Sequence, residues 1–353
     1  MAKKQVIVIS ILIALICVLG IVAGVCCVSE NQSSVPSPTA TLFYSPTPGG
    51  TPEGSGTPVI TDAPTPHETP TLEPTIEPTQ ESTPEPTPNN SPVGSTSSNP
   101  AYAGKKVISL TFDDGPSGPL TPALLDVLKA KNVRATFFVI GNMIAPNYDD
   151  ENYSKYSIGK NASNILKRAV EEGHEIGNHT MGHLNLKKQN LDKVLNEINM
   201  VNDIVEEITG KRPTLLRPPY GNYNDEILAN CGMTIVNWNI DSLDWAHISK
   251  SNIKKYATAN NISQDEAKAI LINELLFTGF EYNGAWHPSV VNSLKHGAIL
   301  LFHDIHPATK DAIAILLDYL EANNYVALPV TEMIMTEGPA PRPGQVYRSI
   351  RSK

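Results

Sequence analysis

The chain is 353 residues long and 41% of its residues are hydrophobic, so it can hold one large domain or two small ones. Its formal net charge is −9 at pH 7, and most of this charge comes from the stretch between Ser29 and Pro100, which has eight acidic residues and neither Lys nor Arg. The rest of the chain is nearly balanced in charge, which argues against a nucleic-acid partner.

An apolar run near the start of the chain predicts a membrane segment. Lys3 and Lys4 precede 23 uncharged residues, Val6 to Val28, which suffice to span a bilayer as a helix with the lysines in the cytoplasm. The length of the run favours an uncleaved signal anchor over a secretory signal peptide, and Cys26 keeps a lipoprotein as a third alternative. We expect residues 1–28 to place the protein on the extracellular face of the membrane as a single-pass protein, or to direct its secretion if they are cleaved.

The next stretch, residues 29–100, is predicted to be a disordered linker. It holds 16 of the 29 prolines and is rich in Thr and Ser. Such a sequence cannot bury enough apolar surface to offset its ordering entropy, and proline with like charges keeps it extended. Its full reach is on the order of 200 Å, which is the scale of a cell wall.

Residues 101–353 alternate apolar, β-like runs with amphipathic helical segments, which predicts one α/β domain of barrel size. Gly210 is a normal helix terminator, and Ser263 with Glu266 forms a capping-box pattern. The predicted strands are Val107–Phe112, Ala135–Ile140, His174–Gly177, Thr214–Arg217, Thr234–Ile240 and Ala298–Phe302, and the predicted helices include Leu191–Ile208, Ser263–Phe277 and Thr309–Leu320.

Several chemically active side chains lie where these strands end. They are Asp113, Asp114, Arg217, Asp244 and His303. In a β/α barrel the carboxyl ends of the strands converge on one face, so residues far apart in the chain can build one active site there.

Two short patterns indicate a metal site. Asp113 and Asp114 are adjacent, and His179 and His183 are four residues apart. Two imidazoles and one carboxylate leave coordination positions open for water and substrate, and the second carboxylate is free to take a proton. Each pattern alone also fits a turn or structural histidines. Cys231 is the only cysteine of residues 101–353, so a disulfide or thiolate site within this part is excluded, and we expect it to be a small core residue.

Five segments, in chain order, resemble the motifs of the polysaccharide deacetylase family, also called the NodB-homology domain or carbohydrate esterase family four. The resemblance covers residues 106 to about 330. The segments are Thr111 to Pro116, His179-Thr180-x-x-His183, Arg217-Pro218-Pro219-Tyr220-Gly221, Asp241-x-x-Asp244-Trp245 and Ile299-x-Leu301-x-His303.

The resemblance implies a distorted (β/α) barrel that binds one divalent metal ion, usually zinc, with cobalt or another divalent ion as the alternative. Asp114, His179 and His183 match the ligands of this ion. Asp113 matches the base that takes a proton from the attacking water, and His303 matches the acid that protonates the departing amine.

The resemblance also implies supporting roles. Arg217 beside Asp113 would keep that carboxylate ionised, and Asp244 beside His303 would favour the imidazolium. The backbone N–H of Tyr220 would hold the oxyanion. Tyr220 would also contact substrate, and Trp245 and Leu301 would line a small apolar pocket for the acetyl methyl, although core packing explains the last two equally well.

The expected function is removal of N-acetyl groups from a cell-surface polysaccharide by a monomeric enzyme. Peptidoglycan N-acetylglucosamine is the first choice because the predicted anchor and linker keep the domain near the wall. Chitooligosaccharide and acetylxylan are the alternative substrates, and an inactive glycan-binding domain is the rival class. The stretches 147–160 and 246–296 are longer than we expect of the family and would flank the substrate groove.

Other residues have more than one interpretation. We expect His174 and His306 to be structural, because the first falls inside a predicted strand and the second precedes a proline in a turn. Tyr223, Trp238 and Trp286 could stack on sugar rings or pack in the core, and the sequence does not separate these uses.

Overall fold

The computed structural model describes residues 102–146 and 157–350. Within these residues no helix combines the length and the apolar character needed to cross a bilayer. The predicted signal anchor, the predicted linker and most of the 147–160 stretch lie outside the described residues.

Nine strands of the described part form one parallel sheet in the order β11-β5-β4-β3-β2-β1-β9-β6, with β10 also paired to β1. A separate antiparallel pair, β7 and β8, forms a hairpin. The strands are β1 Lys106–Asp113, β2 Thr136–Val139, β3 Glu175–Asn178, β4 Leu215–Leu216, β5 Thr234–Val236, β6 Ile240–Asp241, β7 Phe280–Tyr282, β8 Ala285–His287, β9 Ile299–His303, β10 Tyr325–Ala327 and β11 Val346–Tyr347.

Helices connect most of these strands. The longest is Leu191–Thr209, which begins at an Asn190 cap. It ends at Gly210 in the left-handed conformation, which confirms the predicted terminator. The α-helices are α1 Leu120–Ala130, α2 Gly141–Ile144, α3 Lys160–Glu171, α4 Leu191–Thr209, α5 Asp225–Asn230, α6 Asp244–His247, α7 Lys250–Asn260, α8 Gln264–Asn273, α9 Val290–Ser293, α10 Thr309–Ala322 and α11 Val330–Met335.

β1 is the central strand, and only the first of its eight residues is exposed. A strand that is apolar and buried on both faces is typical of a parallel sheet covered by helices. The last five residues of β1 pair with β9 and the last three with β2, so its carboxyl end is held between two neighbours. This end carries Asp113, whose register partner on β9 is His303.

The sheet curves round on itself. β5 and β6 are consecutive in the chain, but they pair with strands at opposite ends of the sheet. β5 pairs with β4 and β11, whereas β6 pairs with β9. Only residues 237–239 separate the two strands, and such a connection spans at most about 14 Å. Beyond β11, Ser349 forms an isolated bridge with Ala298, just before β9. The sheet is therefore a parallel half-barrel whose edges approach at one seam, here called the β5–β6 seam.

The predicted α/β class is confirmed, but the expected distorted barrel is a parallel half-barrel in the described residues. Five of the six predicted strands occur within two residues of the expected bounds. The predicted strand Thr234–Ile240 is wrong, because the chain leaves β5 after Val236 to cross the seam. At the crossing the Asn239 side chain accepts a hydrogen bond from the Ile299 backbone N–H, and so replaces a backbone ladder bond. Cys231 is buried, as expected.

The stretch from 246 to 296, which the sequence leaves largely unassigned, contains α7, α8 and the hairpin. Ser263 accepts a hydrogen bond from Glu266 N at the start of α8, which confirms the predicted cap. α8 ends at Asn273, and a π-helical turn, Glu274–Thr278, continues it past the predicted end. The hairpin was not predicted, although its Asn283-Gly284 turn is a strong hairpin signal.

Candidate active site

Three predicted metal ligands converge at the carboxyl ends of β1 and β3. Asp114 directly follows β1, His179 directly follows β3, and His183 lies four residues further on. Asp114 Oδ1 is 3.5 Å from the Nε2 atom of each histidine. One ligand atom from each of the three residues lies within 4.8 Å of the others.

These three side chains fit a divalent cation. Asp114 Oδ1 is buried and has no hydrogen-bond partner among the described residues, which is costly unless a cation binds it. His179 Nδ1 lies 2.6 Å from the Arg217 carbonyl oxygen, which can only accept a hydrogen bond, so Nε2 keeps its lone pair for a metal. Burial lowers the pKa of His179 to about 3 and keeps the imidazole neutral, the form that coordinates a metal. Two imidazoles and a carboxylate suit zinc or cobalt.

Two residues that the sequence did not single out hold the histidine loop. Asn178 Oδ1 accepts a hydrogen bond from Thr180 N at 2.7 Å, and its amide donates to the Ile198 carbonyl of α4. Glu197 Oε2, also on α4, accepts from Gly182 N at 2.7 Å. An acidic residue on the otherwise apolar, buried face of a predicted helix was the available signal for Glu197.

Asp113 lies beside this cluster but differs from Asp114 in being held by Arg217, as the resemblance implies. Its Oδ1 lies 2.7 Å from Arg217 Nη1, and its Oδ2 lies 3.6 Å from His179 Nε2. Asp113 is 2% exposed, and burial raises the pKa of its carboxyl even though the Arg217 charge opposes the rise. The charge of Arg217 and its hydrogen bond oppose the effect of burial and favour the ionised form of Asp113. A raised pKa makes Asp113 a stronger base when it is ionised.

Arg217 is fully buried and links the base to the β5–β6 seam. Its guanidinium donates to the carbonyl oxygens of Val236 at 3.0 Å and Asn237 at 3.2 Å, and to Thr111 Oγ1 at 2.7 Å. It also lies 4.1 Å above the Phe138 ring. One side chain therefore orients Asp113 and also binds the backbone at the point where the chain leaves β5 to cross the seam.

His303, on β9 beside Asp113, is paired with Asp244 as predicted. Its Nδ1 lies 2.8 Å from Asp244 Oδ1. Burial alone would lower the pKa of His303, but the Asp244 carboxylate raises it to about 9. The same pair lowers the pKa of Asp244, although burial alone would raise it. His303 is therefore an imidazolium at neutral pH, the form that a general acid needs.

Asp244 is fixed from four directions. Besides the His303 ring, its carboxylate accepts hydrogen bonds from His303 N at 2.9 Å, Thr309 Oγ1 at 2.7 Å and Trp245 N at 2.9 Å. Thr309, the first residue of α10, was not predicted to contribute. A carboxylate with this many donors stays ionised and cannot rotate away from the histidine.

The three predicted substrate contacts lie around this site with different exposure. Tyr220 has φ 60° and is 64% exposed, and its ring centroid is 4.8 Å from that of His183. Trp245 is 43% exposed, whereas Leu301 is 3% exposed within β9. Tyr220 and Trp245 can contact a substrate, and Leu301 is mainly a core residue.

Asp304 was not predicted, yet it supports the loop that carries Asp113 and Asp114. Its buried carboxylate accepts a hydrogen bond from Thr121 Oγ1. A Cβ atom added at Gly115 would lie 2.3 Å from Asp304 Oδ2, so the carboxylate occupies the space that glycine leaves open. Burial raises the pKa of Asp304 to about 7.

The two histidines that were expected to be structural differ in position. His174 Nδ1 accepts a hydrogen bond from Ala135 N, and burial lowers its pKa to about 4. It lines a cavity of about 570 Å³ at the starts of the strands, away from the metal ligands. His306 lies beside the site, with its ring 5.9 Å from that of His303.

The remaining aromatic residues separate by burial. Tyr223 and Trp238 are partly buried and pack against core clusters. Trp286 is 63% exposed.

Comparisons with known proteins agree with this geometry. A family model described as polysaccharide deacetylase matches residues 101–236. The peptidoglycan-N-acetylglucosamine deacetylase PgdA of Listeria monocytogenes is 32% identical over 228 residues, which are 65% of this chain and 39% of PgdA. A peptidoglycan-N-acetylglucosamine deacetylase of Bacillus cereus is 32% identical over 227 residues, which are 63% of this chain and 68% of that protein.

Solved structures give the same answer. The peptidoglycan deacetylase PdaC of Bacillus subtilis has a TM-score of 0.50 and 30% identity, over 66% of this chain and 92% of PdaC. A family 4 acetyl xylan esterase of Clostridium thermocellum, in complex with a cobalt ion, has a TM-score of 0.52 and 25% identity, over 69% of this chain and 99% of the esterase.

The chain therefore belongs to the polysaccharide deacetylase family, carbohydrate esterase family four. It spans 39% of the length of PgdA, the first of the curated relatives it matches.

Proposed function

We propose that the protein is a metal-dependent deacetylase that removes N-acetyl groups from the amino sugars of peptidoglycan, with N-acetylglucosamine as the unit it acts on. The observation that carries this proposal is that two adjacent carboxylates have different surroundings. Asp114 faces two histidines with an unpartnered oxygen, while Asp113 is held by a buried arginine.

The side chains on either side of the scissile amide have complementary proton roles. Asp113 accepts the proton of the attacking water, and its raised pKa suits that task. His303, its register partner on the next strand, donates a proton to the departing amine. The backbone at Tyr220 contributes an N–H to the oxyanion. A divalent ion bound by Asp114, His179 and His183 would supply Lewis-acid polarisation of the water and of the acetyl carbonyl.

The choice of peptidoglycan rests on the relatives. PgdA and the B. cereus protein are named as peptidoglycan-N-acetylglucosamine deacetylases and PdaC as a peptidoglycan-N-acetylmuramic acid deacetylase. The cobalt-bound relative is named an acetyl xylan esterase. The higher identities, 32% and 30%, belong to the peptidoglycan group. Acetylxylan is therefore the rival substrate.

The proposal extends to the placement of the domain. We propose that residues 1–28 anchor the chain with its N-terminus in the cytoplasm and that residues 29–100 link this anchor to the catalytic domain. The catalytic domain, residues 101–353, then acts as a monomer on the wall outside the membrane. The apolar run and the proline content support this arrangement.

The test measures acetate release from purified peptidoglycan, N-acetylglucosamine oligomers and acetylxylan, with and without a chelator and with zinc or cobalt restored afterwards. We expect release from peptidoglycan that the chelator abolishes and the metal restores. Activity on acetylxylan alone would refute the substrate.

An inactive glycan-binding domain is distinguished by the Asp113→Asn variant. It should bind the metal but release no acetate. If wild type and variant behave alike on every acetylated glycan, the enzymatic proposal is wrong.

A further inference from the structure

The hairpin of β7 and β8 places a set of aromatic side chains beside the active site. Its strands pair as Phe280 with His287 and Tyr282 with Ala285, while Trp286 pairs with Glu281. Because side chains alternate between the two faces of a strand, one face carries Phe280, Tyr282 and His287, and the other carries Glu281 and Trp286. The two faces therefore differ in chemistry, and the only acidic residue of the hairpin lies on the face opposite Tyr282.

Phe280, at the start of the hairpin, fixes the first face to the rest of the domain. Phe280 is 6% exposed, and its ring stacks on that of His247 with centroids 3.6 Å apart. His247 Nε2 in turn lies 3.1 Å from Glu274 Oε2. This stacked and hydrogen-bonded base holds the hairpin in one orientation relative to α6.

The accessible part of the same face continues from Trp245. The Tyr282 ring meets Trp245 edge to face at 6.0 Å, and the His287 ring meets Tyr282 at 5.9 Å. All three rings are at least partly exposed. Trp245 N donates to Asp244, the partner of the general acid His303, so this row of rings begins at the catalytic site.

We propose that Tyr282 and His287 bind a sugar unit of the same glycan chain, beyond the unit that lies beside Trp245. This inference rests on the proposed function. Aromatic rings that carry a polar edge, as Tyr and His do, pack against the apolar face of a sugar ring while hydrogen-bonding its hydroxyls. The row of rings leads away from Trp245, the direction in which a polymer bound at the reaction centre can continue, and the Tyr282 hydroxyl can hydrogen-bond a neutral sugar. The hairpin thus lengthens the substrate groove and makes the enzyme prefer longer chains.

The test compares kcat/KM for a pentamer and a dimer of β-1,4-linked N-acetylglucosamine, using the full chain loaded with zinc. Tyr282→Ala should lower the pentamer value about tenfold through KM, the loss expected for one aromatic ring face, and change the dimer value less than twofold. Tyr282→Phe should stay near wild type, because it keeps the ring. Trp286→Ala is the matched control on the opposite face and should leave the pentamer-to-dimer ratio unchanged.

The outcomes separate this inference from the function on which it rests. An unchanged ratio in Tyr282→Ala, or a loss in Trp286→Ala alone, overturns the hairpin site while the deacetylase assignment stands. Wild-type protein that releases no acetate from either oligomer or from peptidoglycan overturns the deacetylase assignment instead. If Tyr282→Ala does not fold, His287→Ala tests the same surface and should lower the same ratio.

Discussion

Replacing Asp244 with Asn is expected to move the alkaline limit of acetate release from about pH 9 towards 6.5, the ordinary pKa of histidine. The wild-type limit follows from His303, whose pKa the Asp244 carboxylate raises from 6.5 to about 9. Activity that needs the imidazolium is therefore present at neutral pH and is lost as the pH rises through 9. Without the Asp244 charge, burial, which lowers the pKa of the imidazole, is opposed only by the weaker charge effects of Asp113 and Asp114.

The size of the effect follows from that pKa. A rise of about 2.5 units corresponds to about 3 kcal/mol of preference for the imidazolium. At pH 7.5 the wild-type imidazole is almost fully protonated, whereas about a tenth of it is protonated when the pKa is 6.5. The value of kcat/KM at pH 7.5 should therefore fall by up to about tenfold. The same pair stabilises the fold below pH 6.5, and this stabilisation is lost as the pH rises through 9.

The assay is the pH profile of kcat/KM for acetate release, together with an NMR titration of the His303 ring that does not depend on turnover. Thr309→Val is the control, because it removes one hydrogen bond to Asp244 but leaves the charge. It should shift the alkaline limit much less than Asp244→Asn. An alkaline limit that stays near pH 9 in a folded Asp244→Asn protein would show that Asp244 does not set the pKa of the general acid, His303.

Two further predictions concern the loop after β1. Gly115→Ala should lower the free energy of unfolding by about 1–3 kcal/mol in chemical denaturation, because the new methyl group meets the Asp304 carboxylate. Gly338→Ala is the control and should be neutral, because nothing lies within 4 Å of the added methyl group. Equal stability of the two variants would contradict this prediction. Asp114→Asn should abolish zinc binding in calorimetry, whereas Asp113→Asn should retain it and lose acetate release, and the reverse pattern would exchange the roles of the two carboxylates.

Much of the site could be predicted from the sequence because its residues follow apolar runs that become central strands. Asp113, Asp114 and His303 lie at the ends of such runs, so their convergence followed from the class of fold. The residues that hold these side chains in place could not be predicted from apolar runs. Glu197 contacts the histidine loop through the three-dimensional packing of α4, and Asp304 contacts Gly115 across nearly 190 residues.

The break in the predicted strand Thr234–Ile240 has a physical cause that periodicity cannot show. Its residues look like one apolar run, but they pair with strands at opposite ends of the sheet. Strand pairing depends on which edges meet after the sheet wraps, and that is a property of the whole fold. The β7–β8 hairpin, by contrast, had a local signal in Asn283-Gly284 that was available in the sequence.

The orientation of the catalytic base, Asp113, depends on how closely the two edges of the sheet approach at the β5–β6 seam. Arg217 divides its donors between Asp113 and the carbonyl oxygens of Val236 and Asn237, so any separation of the sheet edges pulls on the guanidinium that orients the base. Loss of activity should therefore precede global unfolding as the protein is warmed. For the same reason, a substitution that loosens the β5–β6 seam should also disturb the orientation of Asp113 and lower the activity.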